Sequence, residues 1–440
     1  MSPITLCLLI FAIMLVLMAI RIPIAVAMFV AGTAGYLMQA GWLPYANFLK
    51  TQTYSRFSSY DLSVIPLFLL MGQFAMHGGL SRALFSFANA LLSRVRGGMA
   101  MAGVLACAFF GAVCGSSVAT AATVSSVALP EMKRHGYSGR LATATLAAGG
   151  TMGIMIPPSV ILIIYAILTE QNIAKLFAAS VIPGLIAIGG YLIAIAVYVR
   201  LVPGHAPERD GTTEFDMRDA LFGLGPIVLI FVLVFGGIYG GLFTPTEGAS
   251  VGAIATFVLA LARGELDFTK IRLSFYQTAE SSAMIFLIFI GADLMNSALA
   301  LTQVPVQLAQ AVGASGWPPL VIVAAILVFY IVLGCVMDEL SMILLTVPIF
   351  FPMVMGLELW GLAPDEKAIW FGILILMVVS IGLLAPPVGL NVYVVNSMAK
   401  DVPIGESYRG VVPFLISDGL RTILLLFTPS LSLYLVRLMN

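Results

Sequence analysis

Residues 115–166 read GSSVATAATVSSVALPEMKRHGYSGRLATATLAAGGTMGIMIPPSVILIIYA. Small and hydroxylated residues come first, a short basic loop follows, and an apolar run is then cut by Pro157 and Pro158. A later stretch has the same order: GCVMDELSMILLTVPIFFPM at 334–353 precedes GLLAPPVGLNVYVV at 382–395. Proline lacks an N–H and clashes with the preceding turn, so each Pro-Pro pair breaks a helix. The apolar stretches 98–131 and 317–357 are too long for one ordinary spanning helix, and both have small or polar centres, Gly115-Ser116-Ser117 and Gly334 to Asp338. Each reads as a re-entrant helical hairpin, a backbone tolerated in lipid only where protein or a water-filled cavity satisfies it.

The rest of the chain demands a bilayer. Its 440 residues are 60% hydrophobic and 10% charged, with a mean hydropathy of +1.06; a soluble domain carries about 25% charged residues. Lys+Arg 21 balance Asp+Glu 21, so no global charge points to nucleic acid. Cys7, Cys107, Cys114 and Cys335 have neither metal spacing nor the density of a secreted disulfide framework. A soluble enzyme, a disulfide scaffold and a DNA-binding protein are excluded. No basic residue precedes Arg21, so the N-terminus is expected to be a first membrane helix and not a cleaved leader.

Hydropathy places spanning segments near 3–20, 23–40, 62–91, 141–168, 174–199, 220–240, 244–262, 276–300, 368–398 and 411–437. Residues 41–60, with Trp42, Tyr45 and Tyr54, read as a helix lying along an interface. Alternating the spans gathers fourteen Lys and Arg residues in the loops of one side and five on the other. The richer side is cytoplasmic, which puts both termini outside.

The chain also repeats itself with orientation reversed. Pro130 in SSVALPEM and Pro352 in TVPIFFPM lie 222 residues apart, as do Pro23 in RIPIAVAMFVAG and Pro245 in FTPTEGASVGA. The expected fold is an all-α polytopic membrane protein built as an inverted repeat. The first repeat is 1–200, with helices over 1–91, hairpin 98–131, broken helix 141–168 and helix 174–199. A cytoplasmic connector, 201–219, leads to the second repeat, 220–440, with hairpin 317–357, broken helix 368–398 and last helix 411–437. Repeats with discontinuous helices are the architecture of secondary transporters, whose sites lie at the breaks.

The breaks leave carbonyls unpaired. Carbonyls and hydroxyls in a nearly dry site suit a small hard cation, while half-helix N-termini favour an anion. Gly115, Ser116 and Ser117 lie opposite the first break, and Met337, Asp338, Glu339 and Ser341 opposite the second. Two pseudo-symmetric cation sites flanking one anion site follow from that pattern, with Asp338 favoured over Glu339 as a cation-site carboxylate. Ser116, Ser117, Ser159, Glu339 and Ser341 are the candidates for the anion pocket. Other polar residues have plainer explanations: small residues such as Gly and Ser also pack membrane helices closely, Glu247 after Thr244-Pro245-Thr246 caps a helix, and Glu280, Asp293 and Arg82 pair within the framework. His77 reads as a packed or interfacial histidine.

Residues 115–186, 334–353 and 382–399 together resemble the large, DctM-type membrane subunit of tripartite ATP-independent periplasmic (TRAP) transporters, and the likeness spans essentially the whole chain. The resemblance implies a sodium-driven elevator-type importer of the bacterial inner membrane. It implies a small four-helix membrane subunit and a periplasmic solute-binding protein as partners, and a small organic anion bearing a carboxylate as solute. Sodium ions are the coupling ions, with no other cofactor. Family sodium sites carry over onto Gly115, Ser116, Ser117, Gly153 and Pro157, and onto Met337, Asp338, Pro386 and Asn391.

The alternative is a stand-alone ion-coupled anion symporter of related two-hairpin fold. An intramembrane enzyme would need a nucleophile–base pair or metal ligands, yet there is no H-E-x-x-H and no histidine near the Ser or Asp candidates in sequence. Re-entrant channel loops normally surround a symmetric pore, and no Walker motif is present, so neither a channel nor an ATPase is expected.

Overall fold

The structure is a computed structural model that describes residues 2–92, 94–207, 217–314 and 316–439. Every regular element among them is helical. Residues 208–216, the centre of the expected connector 201–219, lie outside the described residues.

The chain begins with α1 (Pro3–Ala19), α2 (Ile24–Ala40) and α3 (Trp42–Phe57), then α4 (Val64–His77) and α5 (Leu80–Leu92). The polar helix α3 is bent by 58° from the segment that follows it. The expected single span 62–91 is two helices, because Gly78 and Gly79 separate them and Gly79 takes φ +67°. Next come α6 (Gly98–Cys114) and α7 (Ser117–Arg134), joined only by Gly115 and Ser116 and packed on each other as a hairpin. The first broken helix is α8 (Gly139–Gly150) with the single turn α9 (Met152–Met155), a gap at 156–159, and α10 (Val160–Thr169). Helix α11 (Ile173–Leu201) completes the first half.

The second half runs α12 (Met217–Tyr239), α13 (Pro245–Ala262), α14 (Phe268–Leu301) and α15 (Val304–Ala314). Its hairpin is α16 (Pro319–Gly334) and α17 (Glu339–Met355); its broken helix is α18 (Pro364–Gly382) and α19 (Leu390–Met398). The chain closes with α20 (Ile404–Phe427) and α21 (Pro429–Leu438). Helix α14 starts before the expected 276, since Asp267 caps it by accepting from Lys270 N at 2.7 Å and its first turns are too polar for a hydropathy window. The last span divides at Thr428 because Pro429 cannot extend α20.

Packing separates a framework from an interlocked centre. Helices α2 and α14 touch backbone to backbone: a methyl on Gly32 would lie 2.6 Å from Met295 N, and one on Gly291 2.6 Å from the Ala25 carbonyl oxygen. In the centre α6 packs on α8 and α16 on α18, within each half. The post-break helices then cross over, α10 onto α17 and α19 onto α7. The apolar window within 139–169 is 83% buried, against 39% for that of α11. Broken helices therefore sit inside the protein, where neighbours can satisfy their backbone, while Leu185, Ile193, Leu229 and Ile254 stay exposed as lipid-facing residues do. Among the described residues five helical segments are long and apolar enough to cross a membrane alone, and one bent pair joins them. Ten spans were expected; helices such as α1 and α2 are apolar but have 17 residues each.

Candidate functional site

The first hairpin tip is built by a left-handed glycine. Gly115 ends α6 at φ +69°, and its carbonyl accepts from Val160 N at 3.3 Å, just past the first break. Ser116 opens α7, its Oγ accepting from Ala119 N at 3.5 Å. A methyl on Gly153 would lie 2.5 Å from both the Ser116 carbonyl oxygen and Thr120 Oγ1, and one on Gly115 2.8 Å from the Pro158 carbonyl oxygen. Tip and break thus meet through oxygens that no side chain separates. Thr120 Oγ1 is buried beside the Cys114 thiol and has no nitrogen or oxygen partner. A buried hydroxyl is rarely left so, and a ring of carbonyl and hydroxyl oxygens is a donor set for a small hard cation. Among the described residues no three His, Cys, Asp or Glu side chains converge, so an ion held here would be held by such oxygens.

The second tip repeats the plan with different caps. The Cys335 carbonyl accepts from Val388 N at 3.3 Å, and a methyl on Gly382 would lie 2.7 Å from the Gly334 carbonyl carbon. The carbonyl oxygens of Leu384 and Ala385 turn toward Gly389, which sits at φ +50°; a methyl there would lie 3.0 and 3.1 Å from them. Asp338 caps α17, Oδ2 accepting from Ser341 N at 3.0 Å, as Ser116 caps α7. The favoured carboxylate therefore has a structural occupation that the motif D-E-L-S announces. Glu339 Oε2 and Ser341 Oγ are buried and unpaired, and Met337 is buried at the tip. Pro157 is buried in the first break, whereas Pro386 is exposed in the second.

Between the tips stands Asn391. Its Nδ2 donates to Ser117 Oγ at 2.7 Å and to the Ala147 carbonyl at 3.2 Å, and its Oδ1 is buried and unpaired. By backbone Asn391 belongs to the second break; by side chain it joins the first tip, because α19 packs on α7. Ser159 caps α10, accepting from Leu162 N at 3.4 Å, and is fully buried. The structure brings Gly153 against Ser116 and Thr120, and Asn391 against Ser117, all at the first tip that Gly115 opens. It keeps Glu339 and Ser341 at the second tip, with no hydrogen bond to the first among the described residues.

Sequence reasoning left Gly111 and Gly382 unremarked and took Gly334 only as a break in the hairpin, although each permits a backbone contact between hairpin and broken helix. It also missed the buried ion pair Arg421–Asp418, 2.9 Å apart. Asp293 does pair within the framework, with Arg56, whose Nε and Nη2 donate to its two oxygens at 2.6 and 2.7 Å. Arg82 and Glu280 are exposed. Glu247 forms the expected cap, a reciprocal box with Thr244. His77 Nε2 lies 3.1 Å from Gln277 Oε1.

Residues 11–431 match the family described as Tripartite ATP-independent periplasmic transporter, DctM component. The C4-dicarboxylate TRAP transporter large permease protein DctM of Pseudomonas aeruginosa is 36% identical over 86% of each chain. The isethionate TRAP transporter permease protein DctMQ of Oleidesulfovibrio alaskensis is 31% identical, over 90% of this chain and 61% of that one. The crystal structure of the Alcanivorax borkumensis YdaH transporter superposes with a TM-score of 0.62 over 89% of this chain and 90% of that one, at 16% identity, a likeness of fold alone.

Proposed function

This chain belongs to the DctM family of tripartite ATP-independent periplasmic transporters as a large permease protein, and on that premise we propose that it imports a small organic anion by sodium-coupled alternating access. The observation that carries the coupling is the oxygen-lined junction at Gly153, with Thr120 Oγ1 buried beside the Ser116 carbonyl and without a nitrogen or oxygen partner. Sodium at this tip, and a second ion near Met337, Asp338, Pro386 and the Leu384 and Ala385 carbonyls, would fix the two hairpins. The anion would sit between them, near Ser117 and Asn391, with Ser116, Ser159, Glu339 and Ser341 around it. Ion and solute would cross together in an elevator movement of the interlocked centre, since an uncompensated charge in lipid is costly.

Dicarboxylate and isethionate, named for the two relatives, are both small anions, which supports the solute class. A periplasmic binding protein would deliver the solute. A small four-helix subunit would complete the assembly in the bacterial inner membrane; the longer isethionate relative has room for a second membrane unit in one polypeptide. The Lys and Arg bias supports a topology with both termini in the periplasm.

Solute uptake into proteoliposomes holding this chain and its small partner tests the reading, run with an inward sodium gradient, with and without the binding protein. Uptake is expected to need both. Thr120→Val, which removes the hydroxyl and keeps the shape, is expected to raise half-saturating sodium by about tenfold, the order of one lost polar contact. Uptake without the binding protein would favour the stand-alone symporter, and uptake indifferent to sodium would remove the ion from the mechanism.

A further inference from the structure

Behind the first break lies a buried polar chain that the site above does not use. Asp418 and Arg421 stand one turn apart on α20 and pair at 2.9 Å; both are at most 3% exposed. Tyr191 of α11 is fully buried, its hydroxyl donating to Asp418 Oδ2 at 2.8 Å. The Arg421 guanidinium carbon lies 6.0 Å from the centre of the Tyr191 ring, and Phe414 meets that ring edge-on at 5.2 Å. The phenol is therefore held from two directions. On its other side the Tyr191 oxygen lies 3.2 Å from Thr151 Oγ1, whose one proton is shared between that oxygen and the Ala148 carbonyl 2.7 Å away.

Thr151 is the single residue between α8 and α9, and Gly153 is two residues on. Charged residues buried at membrane depth are costly and are retained for a purpose. Arg421 and Asp418 are too far along α20 to be tip residues, and their one outward polar link among the described residues is Tyr191 to Thr151.

We propose that Tyr191 and Asp418, with Arg421 as counter-charge, are positioning residues for the first cation site, fixing Thr151 and so the turn that presents Gly153 to the Ser116 carbonyl and Thr120. The inference rests on the sodium reading given above. It assigns these residues to the first tip and not to the second, whose junction at Gly334 and Gly382 lies on other helices.

Two native thiols make that selectivity measurable, since Cys114 precedes the first tip and Cys335 lies in the second. The full chain in proteoliposomes is treated with N-ethylmaleimide while sodium is titrated against potassium at constant ionic strength. Alkylation at each cysteine is read by peptide mass spectrometry. In the wild type, sodium is expected to slow alkylation at Cys114, because a buried thiol reacts only when the tip opens. Tyr191→Phe, which keeps the ring and its packing, is expected to need about tenfold more sodium to protect Cys114, with Cys335 unchanged. Thr151→Val should give the same shift, and the double variant no more than either single one, as groups acting through one contact do.

Protection of Cys114 at wild-type sodium in Tyr191→Phe would overturn the assignment. So would an equal shift at both cysteines, which would mark general loosening. A wild-type Cys114 indifferent to sodium would instead defeat the sodium reading, and the positioning role with it.

Discussion

Asp338 and Ser116 show how one position in a repeat can carry different chemistry with one job. Each opens the second helix of its hairpin and accepts from the N–H three residues on. A carboxylate at membrane depth attracts an ion-binding reading, and here its Oδ2 also caps α17. Asp338→Ala is expected to cost about 1 kcal/mol of stability, the usual worth of an N-cap. Asp338→Asn, which caps equally well, should keep sodium-dependent uptake close to wild type. Loss of sodium dependence in Asp338→Asn, with a normal unfolding midpoint, would return the carboxylate to the ion. The glycines, prolines and hydroxyls of both tips were legible in the sequence because helix breaks are local events. The direction of the Asn391 side chain was not, because it depends on which helix packs beside α19, a contact made across 274 residues.

Helix α17 illustrates the same limit one level up. Pro348 lacks the N–H that would pair with the Leu344 carbonyl four residues earlier. Asn296 of α14 donates its Nδ2 to that carbonyl at 3.2 Å, so a framework helix fills a vacancy in the second hairpin. The proline was visible in the sequence; the asparagine that answers it, 48 residues away, was not. Asn296→Ala should leave the Leu344 oxygen unpaired and loosen this hairpin, at a cost of about 1–2 kcal/mol. Alkylation at Cys335 is expected to accelerate while Cys114 holds its wild-type rate. Unchanged reactivity at Cys335 would mean that the bond carries no load. Helix ends were the other weak point: the starts of α14 and α21 are set by Asp267 and Pro429 and not by hydropathy.

Across the whole molecule, the order hairpin, broken helix, long helix recurs in both halves, and the two meet again outside the membrane spans. His205, just beyond α11, is held below the usual histidine range by burial and by the charge of Arg140. Its Nδ1 lies within hydrogen-bond distance of Ser138 Oγ, 2.6 Å away, and Ser138 caps α8. Beside it Arg140 pairs with Glu406 of α20, tying the first half to the second. A group whose pKa is depressed on folding binds more protons when unfolded, so this tie is whole above the ordinary histidine pKa and weakens as pH falls below about 6.5. The thermal midpoint is expected to fall over that range, and His205→Gln to flatten the fall; superimposable profiles would show that His205 contributes nothing to it.

The glycines where hairpin meets broken helix set a limit on how this protein can vary. Gly111 lies so close to Gly153, and Gly334 to Gly382, that a first side-chain carbon on Gly111, Gly153 or Gly382 would stand 2.5–2.7 Å from backbone atoms. A hydrophobic core can absorb an extra methyl by shifting a side chain, but two main chains in contact have nothing to shift. In a saturation scan scored by uptake, these three positions should accept no other residue, alanine included, while the lipid-facing Leu185, Leu229 and Ile254 accept most apolar ones. The mechanism would then rest on places where the genetic code has one usable answer.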